Sequence, residues 1–256
     1  MARLLFVNST AVHGGAEDAL LMLMRACAEL GHIPFLLVPR RGWLTDRAAA
    51  LGIEAHTLPA LPDAIHVRRA WQQFLPLPFT VACLCELIGR LRVDAVHSNS
   101  LRTAYHAGIA ARIMGVRAIM HVHDIVNVPY MHERRGKLLC RVSDRTIVPS
   151  EAVARSLGSA PGGGPRPIQI LYNGRLAEEY ETAPADLRAE INAPADAFIV
   201  GNVSVMNAFK GQDHAIRAFA ELHRRHVHCR LVIVGDGQGG ENRTSGKRTC
   251  TNSCAR

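Results

Sequence analysis

Short apolar runs alternate with segments of helical periodicity along most of this chain. The runs at 3–8 and 33–38 are almost entirely apolar, which is typical of strands buried on both faces of a parallel sheet. Between such runs, apolar residues recur three and four positions apart, as they do on the buried face of a helix. This alternation predicts an α/β fold with a doubly wound parallel sheet and right-handed crossovers.

The predicted elements up to residue 175 follow one another closely. Strands are expected at Arg3–Asn8, Ile33–Val38, Ile53–Leu58, Val93–His97, Val116–Val122, Arg145–Val148 and Pro167–Leu171. Helices are expected at Glu17–Leu30, Leu44–Leu51, Phe79–Leu91, Leu101–Met114, Arg134–Cys140 and Glu151–Leu157. Gly31, Gly52 and Gly115 each come directly after a predicted helix, where a residue with a left-handed backbone commonly ends the helix.

A second α/β unit begins at Phe198. The segment Phe198–Gly237 predicts a strand, a Lys-Gly turn, a helix from Asp213 to Arg224 and another strand. A polar, Pro-containing stretch precedes it, and the tail that follows is nearly free of apolar residues. We therefore predict a domain at 1–178, a linker at 179–197, a βαβ unit at 198–237 and an irregular, disordered tail at 238–256.

The charge balance favours anionic partners. The chain has 30 Lys and Arg against 22 Asp and Glu, a formal net charge of +8, which suits nucleotide phosphates or acidic lipid headgroups. Nucleic acid is not expected, because only 5% of residues are aromatic and the basic residues form no clustered stripe. No run approaches the roughly 18 apolar residues of a membrane span, so a cytoplasmic protein is predicted, with peripheral contact at the inner face of the membrane as a further option.

Loops that follow strands are the candidate sites, because ligands bind at the carboxyl ends of strands in an open parallel sheet. Gly14 and Gly15 precede a helix, where backbone N–H groups can approach a phosphate or a sugar hydroxyl. A tight strand-to-helix turn would explain the same glycines. Ser98 and Asn99 follow another strand, and their side chains suit hydroxyl ligands or the capping of the next helix.

Two further motifs carry ionisable side chains. His121 and His123 are two residues apart on a predicted strand and should point to the same face. Such a pair suits either a metal ion or a metal-free polar or acid–base role. Lys210 and Gly211 precede a helix, where the lysine charge adds to the helix dipole in a way that fits a diphosphate. A solvent-exposed lysine is the alternative.

Eight short motifs occur in a fixed order: Gly14–Glu17, Gly31–His32, Val93–His97, His123–Asp124, Asp144–Ser150, Ile170–Gly174, Lys210–Phe219 and Leu231–Gly237. In this order they resemble family 4, or group 1, of the retaining nucleotide-sugar glycosyltransferases. The resemblance implies a GT-B fold with two Rossmann-like domains, the second of them incomplete in this chain. The domain at 1–178 would then be the acceptor side, and 198–237 the start of a truncated nucleotide-sugar-binding domain.

The resemblance also implies an activity. The chain would move a sugar from a nucleotide-sugar donor to a glycan or lipid-linked acceptor with retention, in cell-envelope polysaccharide synthesis. No cofactor and no metal are implied, since the nucleotide sugar is a co-substrate. His123 would contact the sugar near the reacting carbon, and Lys210 would neutralise the departing diphosphate, so these two are the catalytic candidates. The implied donor-binding residues are Gly14, Gly15, Lys210 and Gly211, and the implied acceptor-binding residues are Glu17, Ser98 and Asn99.

Two alternatives stay open. Family members carry paired glutamates, spaced E-x7-E, which would fall after Gly237, and an arginine that commonly precedes the lysine has no match at Ser204–Met206. A non-catalytic remnant that binds only an acceptor would fit these departures. A metal-dependent hydrolase using His121 and His123 is the second alternative.

Overall fold

The computed structural model describes residues 1–62, 77–125, 142–157, 168–174, 186–206, 210–225 and 228–235. It divides the chain into two compact units, Met1–Glu179 and Tyr180–Arg256. The predicted helix at Arg134–Cys140, the tail at 238–256 and the linker residues 179–185 lie outside the described residues.

A parallel sheet forms the centre of the first unit. Its described strands are β1 Arg3–Val7, β2 Ile33–Val38, β3 Glu54–Thr57, β4 Ala95–Ser98, β5 Arg117–His121, β6 Arg145–Val148 and β7 Ile168–Ile170. They lie in the order β3-β2-β1-β4-β5-β6-β7, and every described pairing is parallel. Leu5 of β1 is paired with Phe35 on one side and Val96 on the other. The predicted doubly wound α/β fold is confirmed.

The helices of the first unit follow the strands as predicted. They are α1 Gly15–Glu29, α2 Trp43–Ala50, α3 Leu77–Leu91, α4 Leu101–Ile113 and α5 Glu151–Ser156. Gly31 and Gly115 have φ angles of 79° and 69°, the left-handed conformation that favours glycine after a helix. Within the described residues, no helix combines the length and the apolarity needed to cross a bilayer.

Several predicted strands are a residue or two longer than the observed ones. Leu58 and Val122 lie just beyond β3 and β5, yet their backbone N–H groups still donate to Val38 O at 2.9 Å and Ile147 O at 3.0 Å. The predicted strands are thus longer because their apolar residues include positions that are still hydrogen-bonded to the neighbouring strand just beyond the regular strand.

Alternate residues of the central strands face opposite layers of helices. Leu5 and Val7 pack with Leu84 of α3 and Ala110 of α4, whereas Phe6 packs in a separate cluster with α1 and α2. This two-sided burial explains why the strands are continuous in apolar residues, since neither face meets water.

The second unit contains a βαβ element. Four-residue helix α6 Leu187–Glu190 precedes strand β8 Phe198–Val203, helix α7 Gln212–Arg225 and strand β9 Cys229–Val234. The two strands pair in parallel, with Phe198 opposite Cys229. Gly235, directly after β9, has space for no side chain, because a Cβ there would lie 1.8 Å from Ser204 O. This element matches the strand, helix and strand predicted between Phe198 and Gly237.

Candidate functional site

Three polar side chains lie at the carboxyl edge of the first sheet. Asn8 follows β1, Asn99 follows β4, and His123 lies two residues beyond β5. Because β1, β4 and β5 are consecutive neighbours in the sheet, the loops after them meet at one edge. The fold thereby brings together residues that are far apart in sequence.

A chain of hydrogen bonds joins these side chains to helix α1. Asn8 Nδ2 donates to Glu17 Oε1 at 3.0 Å and to Thr10 O at 2.8 Å. Asn99 Nδ2 donates to Asn8 Oδ1 and to Ala16 O, each at 3.3 Å. His123 Nε2 lies 2.9 Å from Asn99 Oδ1. The start of α1 and the ends of three strands are therefore held in one polar network.

Burial shapes the electrostatics of this network. Desolvation raises the pKa of the Glu17 carboxyl, and the hydrogen bond from Asn8 opposes that shift. Desolvation lowers the pKa of His123, against the opposing charge of Asp124. Both shifts favour the uncharged forms of these two side chains.

Two further histidines lie beneath His123. The ring centroids of His121 and His123 are 4.0 Å apart, and those of His97 and His121 are 5.5 Å apart. Burial lowers the pKa of His97 to about 3 and that of His121 to about 2. These two imidazoles are therefore neutral at physiological pH. The close contact of His121 and His123 agrees with their predicted placement on one face.

The histidine row does not form a metal centre in the described part of the chain. There, no group of three or more His, Cys, Asp or Glu side chains is arranged to hold a metal ion. The hydrolase alternative, which relies on His121 and His123, thus has no third protein ligand among the described residues.

The glycine pair begins helix α1. Gly14 is the residue before the helix, with φ −166° and ψ 169°, and no side chain caps the helix there. A Cβ on Gly14 would lie 2.6 Å from Glu17 Oε2, whereas one on Gly15 would meet nothing within 4 Å. The Gly14 position is thus packed against Glu17, and the Gly15 position opens onto free space. The predicted donor contacts of both glycines stay predictions.

Ser98 and Asn99 are both buried, with 2% of each exposed. Ser98 Oγ donates to Ser100 O at 2.9 Å and lies 2.8 Å from Thr103 Oγ1. Ser100, one residue further, caps α4 by accepting from Thr103 N at 3.3 Å. These side chains are used within the protein, and acceptor contacts for Glu17, Ser98 and Asn99 stay predictions.

The loop before α7 carries the second group of predicted residues. Lys210 is exposed, and Gly211 has a φ of 67°. Gln212 Nε2 donates to Ser204 Oγ and Val205 O, each at 2.9 Å, and so ties the start of α7 to the end of β8. Lys210 is thereby held at the start of a helix, as the sequence predicts.

Asn8 and Gln212 are not among the predicted site residues, although Gln212 lies within the predicted motif Lys210–Phe219. Asn8 was visible as the polar residue that ends an apolar run, and Gln212 as the residue after the Lys-Gly pair. Their roles depend on partners that the local pattern does not reveal.

The parallel sheet with a polar cluster at its carboxyl edge defines a Rossmann-like unit. The family model for Glycosyltransferase Family 4 matches residues 13–175. The chain belongs to this glycosyltransferase family, as its motifs predict.

Solved structures show the same fold. Anabaena Alr3699/HepE, in complex with UDP-glucose, is 22% identical with a TM-score of 0.71 over 94% of this chain and 62% of that one. A glycosyltransferase from Rickettsia africae ESF-5 is 18% identical with a TM-score of 0.69, covering 92% and 60%. The lipopolysaccharide outer core galactosyltransferase WaaB is 16% identical with a TM-score of 0.62, covering 92% and 61%.

The present chain thus spans about three fifths of the length of these structures. A comparison with curated proteins finds no match.

Proposed function

We propose that this chain transfers a sugar from a nucleotide-sugar donor to a glycan or lipid-linked acceptor, with retention of configuration at the reacting carbon. The observation that carries the proposal is the network Glu17–Asn8–Asn99–His123 at the carboxyl edge of a sheet that belongs to Glycosyltransferase Family 4. Such an edge is where open α/β sheets bind their ligands.

The side chains of this network suit a sugar. The neutral imidazole of His123 can exchange hydrogen bonds with sugar hydroxyls. Within a buried edge such a bond is selective, because a missing partner leaves a polar group unpaired. A uridine diphosphate sugar is the proposed donor class. The Anabaena structure is a complex with UDP-glucose, and the S. aureus MnaA structure is a complex with UDP.

Sugar transfer requires a positive charge near the departing diphosphate. As the bond between the sugar and the diphosphate breaks, negative charge grows on the phosphate oxygens. The exposed ammonium of Lys210, at the start of α7, is the cation we assign to that charge, with Gly211 beside it. The backbone at Gly14 and Gly15 is assigned to the donor as well. No resident cofactor or metal is part of this scheme.

We place the reaction in cell-envelope polysaccharide synthesis. One structure of the same fold is a lipopolysaccharide outer core galactosyltransferase, which supports an envelope acceptor. The net charge of +8 would favour contact with anionic headgroups at the inner face of the membrane. A lipid-linked acceptor and a peripheral location in the cytoplasm follow together.

The test measures donor binding first and transfer second. Equilibrium dialysis of the purified chain with labelled UDP-glucose, UDP-galactose and UDP-N-acetylglucosamine should show that the protein binds at least one of them. The variant His123→Gln should bind that donor more weakly. Binding of none of the three nucleotide sugars would overturn the proposal and favour a remnant that binds only an acceptor.

Transfer is measured with the bound donor and a lipid-linked glycan acceptor. NMR of the product should show the same anomeric configuration as the donor sugar. Addition of EDTA should leave the rate unchanged, since the scheme uses no metal. Donor binding without transfer to any lipid-linked glycan would refute the acceptor class, and an inverted product would refute retention.

A further inference from the structure

The orientation of the Asn99 amide is determined by its partners. Asn99 Nδ2 lies 3.3 Å from Ala16 O, a backbone carbonyl that can only accept a hydrogen bond. The nitrogen must therefore face α1, and Oδ1 must face His123. The same argument orients Asn8, whose Nδ2 donates to the backbone carbonyl of Thr10 at 2.8 Å, so that Asn8 Oδ1 accepts from Asn99.

This orientation decides which nitrogen of His123 carries the proton. Asn99 Oδ1 has no hydrogen to give, and it lies 2.9 Å from His123 Nε2. Nε2 must donate, so the neutral ring carries its proton there and leaves Nδ1 as a lone-pair acceptor. With the proton on Nδ1 instead, two hydrogen-bond acceptors would face each other at that distance. The lost hydrogen bond to Asn99 Oδ1 would favour the Nε2–H tautomer over the Nδ1–H tautomer by roughly ten to one or more.

The other nitrogen of His123 is placed differently. Nδ1 is buried and has no hydrogen-bond partner among the residues that the structure describes. A buried acceptor without a partner is costly unless a ligand or solvent supplies a donor. Desolvation lowers the pKa of His123, which keeps this nitrogen unprotonated at neutral pH.

We propose that Asn99 is a positioning residue that holds His123 as the Nε2–H tautomer, so that Nδ1 accepts a hydrogen bond from a hydroxyl group of the transferred sugar. Asn8 and the carbonyl of Ala16 act through Asn99 by orienting its amide. The nature of the ligand rests on the proposed function, whereas the tautomer is a property of the protein alone. The two parts can therefore be tested apart.

The tautomer is measured on the full chain without ligand. In a nitrogen NMR spectrum of protein labelled at histidine, His123 should show a protonated Nε2 and an unprotonated Nδ1 at pH 7.5. The spectrum of His123→Gln identifies its signals. A wild-type spectrum dominated by the Nδ1–H form would overturn the proposal. This measurement does not depend on whether any variant of Asn99 folds.

A pair of variants isolates the contribution of Asn99. Asn99→Leu removes the acceptor and should bring the two tautomers of His123 to within about threefold of each other, since the preference created by the hydrogen bond is lost. Thr103→Val is the matched control, because Thr103 is fully buried and bonded to Ser98 and Ser100 without touching His123. A tautomer that persists in Asn99→Leu would refute the role of Asn99.

The ligand part is tested with UDP-glucose and UDP as paired probes. Asn99→Leu should weaken the binding of UDP-glucose about tenfold and leave that of UDP unchanged, because UDP has no transferred sugar. Equal weakening of both probes would show a merely structural role and overturn the ligand part. Failure of wild-type protein to bind UDP-glucose would count against the proposed donor, while the ligand-free tautomer would still decide the role of Asn99.

Discussion

The carboxyl group of Glu17 lies directly against the backbone of Gly14, where a Cβ would come within 2.6 Å of Glu17 Oε2. The φ of Gly14 is −166°, an extended conformation that any residue adopts. A side chain at this position would displace the end of the Glu17 side chain, so the position favours glycine for space and not for backbone freedom. Gly15, the next residue, has open space around its Cα. A side chain at position 14 would therefore contact Glu17, whereas one at position 15 would meet no neighbouring atom.

The first prediction is that Gly14→Ala disturbs the network and Gly15→Ala does not. The new methyl group at position 14 would displace the Glu17 carboxyl from Asn8, at a cost of about 1–3 kcal/mol in unfolding free energy. Gly15→Ala should be neutral or stabilising by up to about 1 kcal/mol, because alanine favours the helix. Urea unfolding of both variants measures this, and equal destabilisation would contradict it.

The pair also separates folding from ligand binding. If the backbone at Gly15 approaches a donor, as we propose, Gly15→Ala should fold normally and still bind UDP-glucose more weakly than the wild type. Unchanged affinity in a stably folded Gly15→Ala would show that Gly15 makes no close contact with the donor.

The second prediction concerns the buried carboxyl of Glu17. Burial raises its pKa, so the folded protein binds more protons than the unfolded chain as pH rises above the ordinary value of 4.5. Its contribution to stability is present at low pH and is lost as pH rises through the raised pKa. Glu17→Gln keeps an oxygen that accepts from Asn8 and removes the titrating group. This variant should be more stable than the wild type at pH 7.

Urea unfolding at pH 5 and pH 7 tests this, and the advantage of Glu17→Gln should grow with pH. Glu151→Gln is the control, since Glu151 is exposed and forms an ion pair with Arg155 one helical turn away. That surface change should alter stability by less than about 0.5 kcal/mol. A destabilised Glu17→Gln at pH 7 would mean that the carboxylate is favoured in the folded state.

The third prediction is that acid destabilises the protein through His97 and His121. Their folded pKa values of about 3 and about 2 lie well below the ordinary value of 6.5. Below pH 6.5 the unfolded chain binds protons that the folded protein does not, so stability falls as pH falls. Each histidine contributes a slope of roughly 1.4 kcal/mol per pH unit until its folded pKa is reached.

Unfolding free energies between pH 6.5 and 4.5 give this slope. His121→Phe keeps an aromatic ring of similar size and removes one titrating group. It should reduce the slope of unfolding free energy against pH by roughly 1.4 kcal/mol per pH unit. Met120→Leu, a buried change on the same strand, should alter stability without altering the slope. An unchanged slope in His121→Phe would show that its imidazole is protonated as readily in the folded state as in the unfolded chain.

Much of the fold is predictable because a strand that is buried on both faces is a continuous run of apolar residues in the sequence. Strand β2 has the predicted bounds, Ile33–Val38, since five of its six residues pack in one helical layer or the other. The helix ends at Gly31 and Gly115 are equally visible, because left-handed backbone favours glycine. In these cases the cause lies within a few residues of the position.

The site is less predictable because its contacts are not local. Asn8 and Asn99 are 91 positions apart and meet only because β1 and β4 are neighbours in the sheet. His97 is the last residue of the strand predicted at Val93–His97, and the sequence gives no sign that it lies 5% exposed against the ring of His121. The strand order determines both facts, and a periodic pattern of apolar residues does not encode strand order.

The fourth prediction is that Lys210 acts on the donor and not on the fold. Lys210 is exposed at the start of α7, so Lys210→Ala should change the unfolding free energy by less than about 0.5 kcal/mol. Loss of a charged contact to the diphosphate should weaken UDP-glucose binding by about tenfold to a hundredfold. Arg224→Ala, an exposed change in the last turn of the same helix, is the matched control and should bind normally. Calorimetric titration with UDP-glucose measures the affinities, and a Lys210→Ala variant that binds as tightly as Arg224→Ala would remove Lys210 from the donor site.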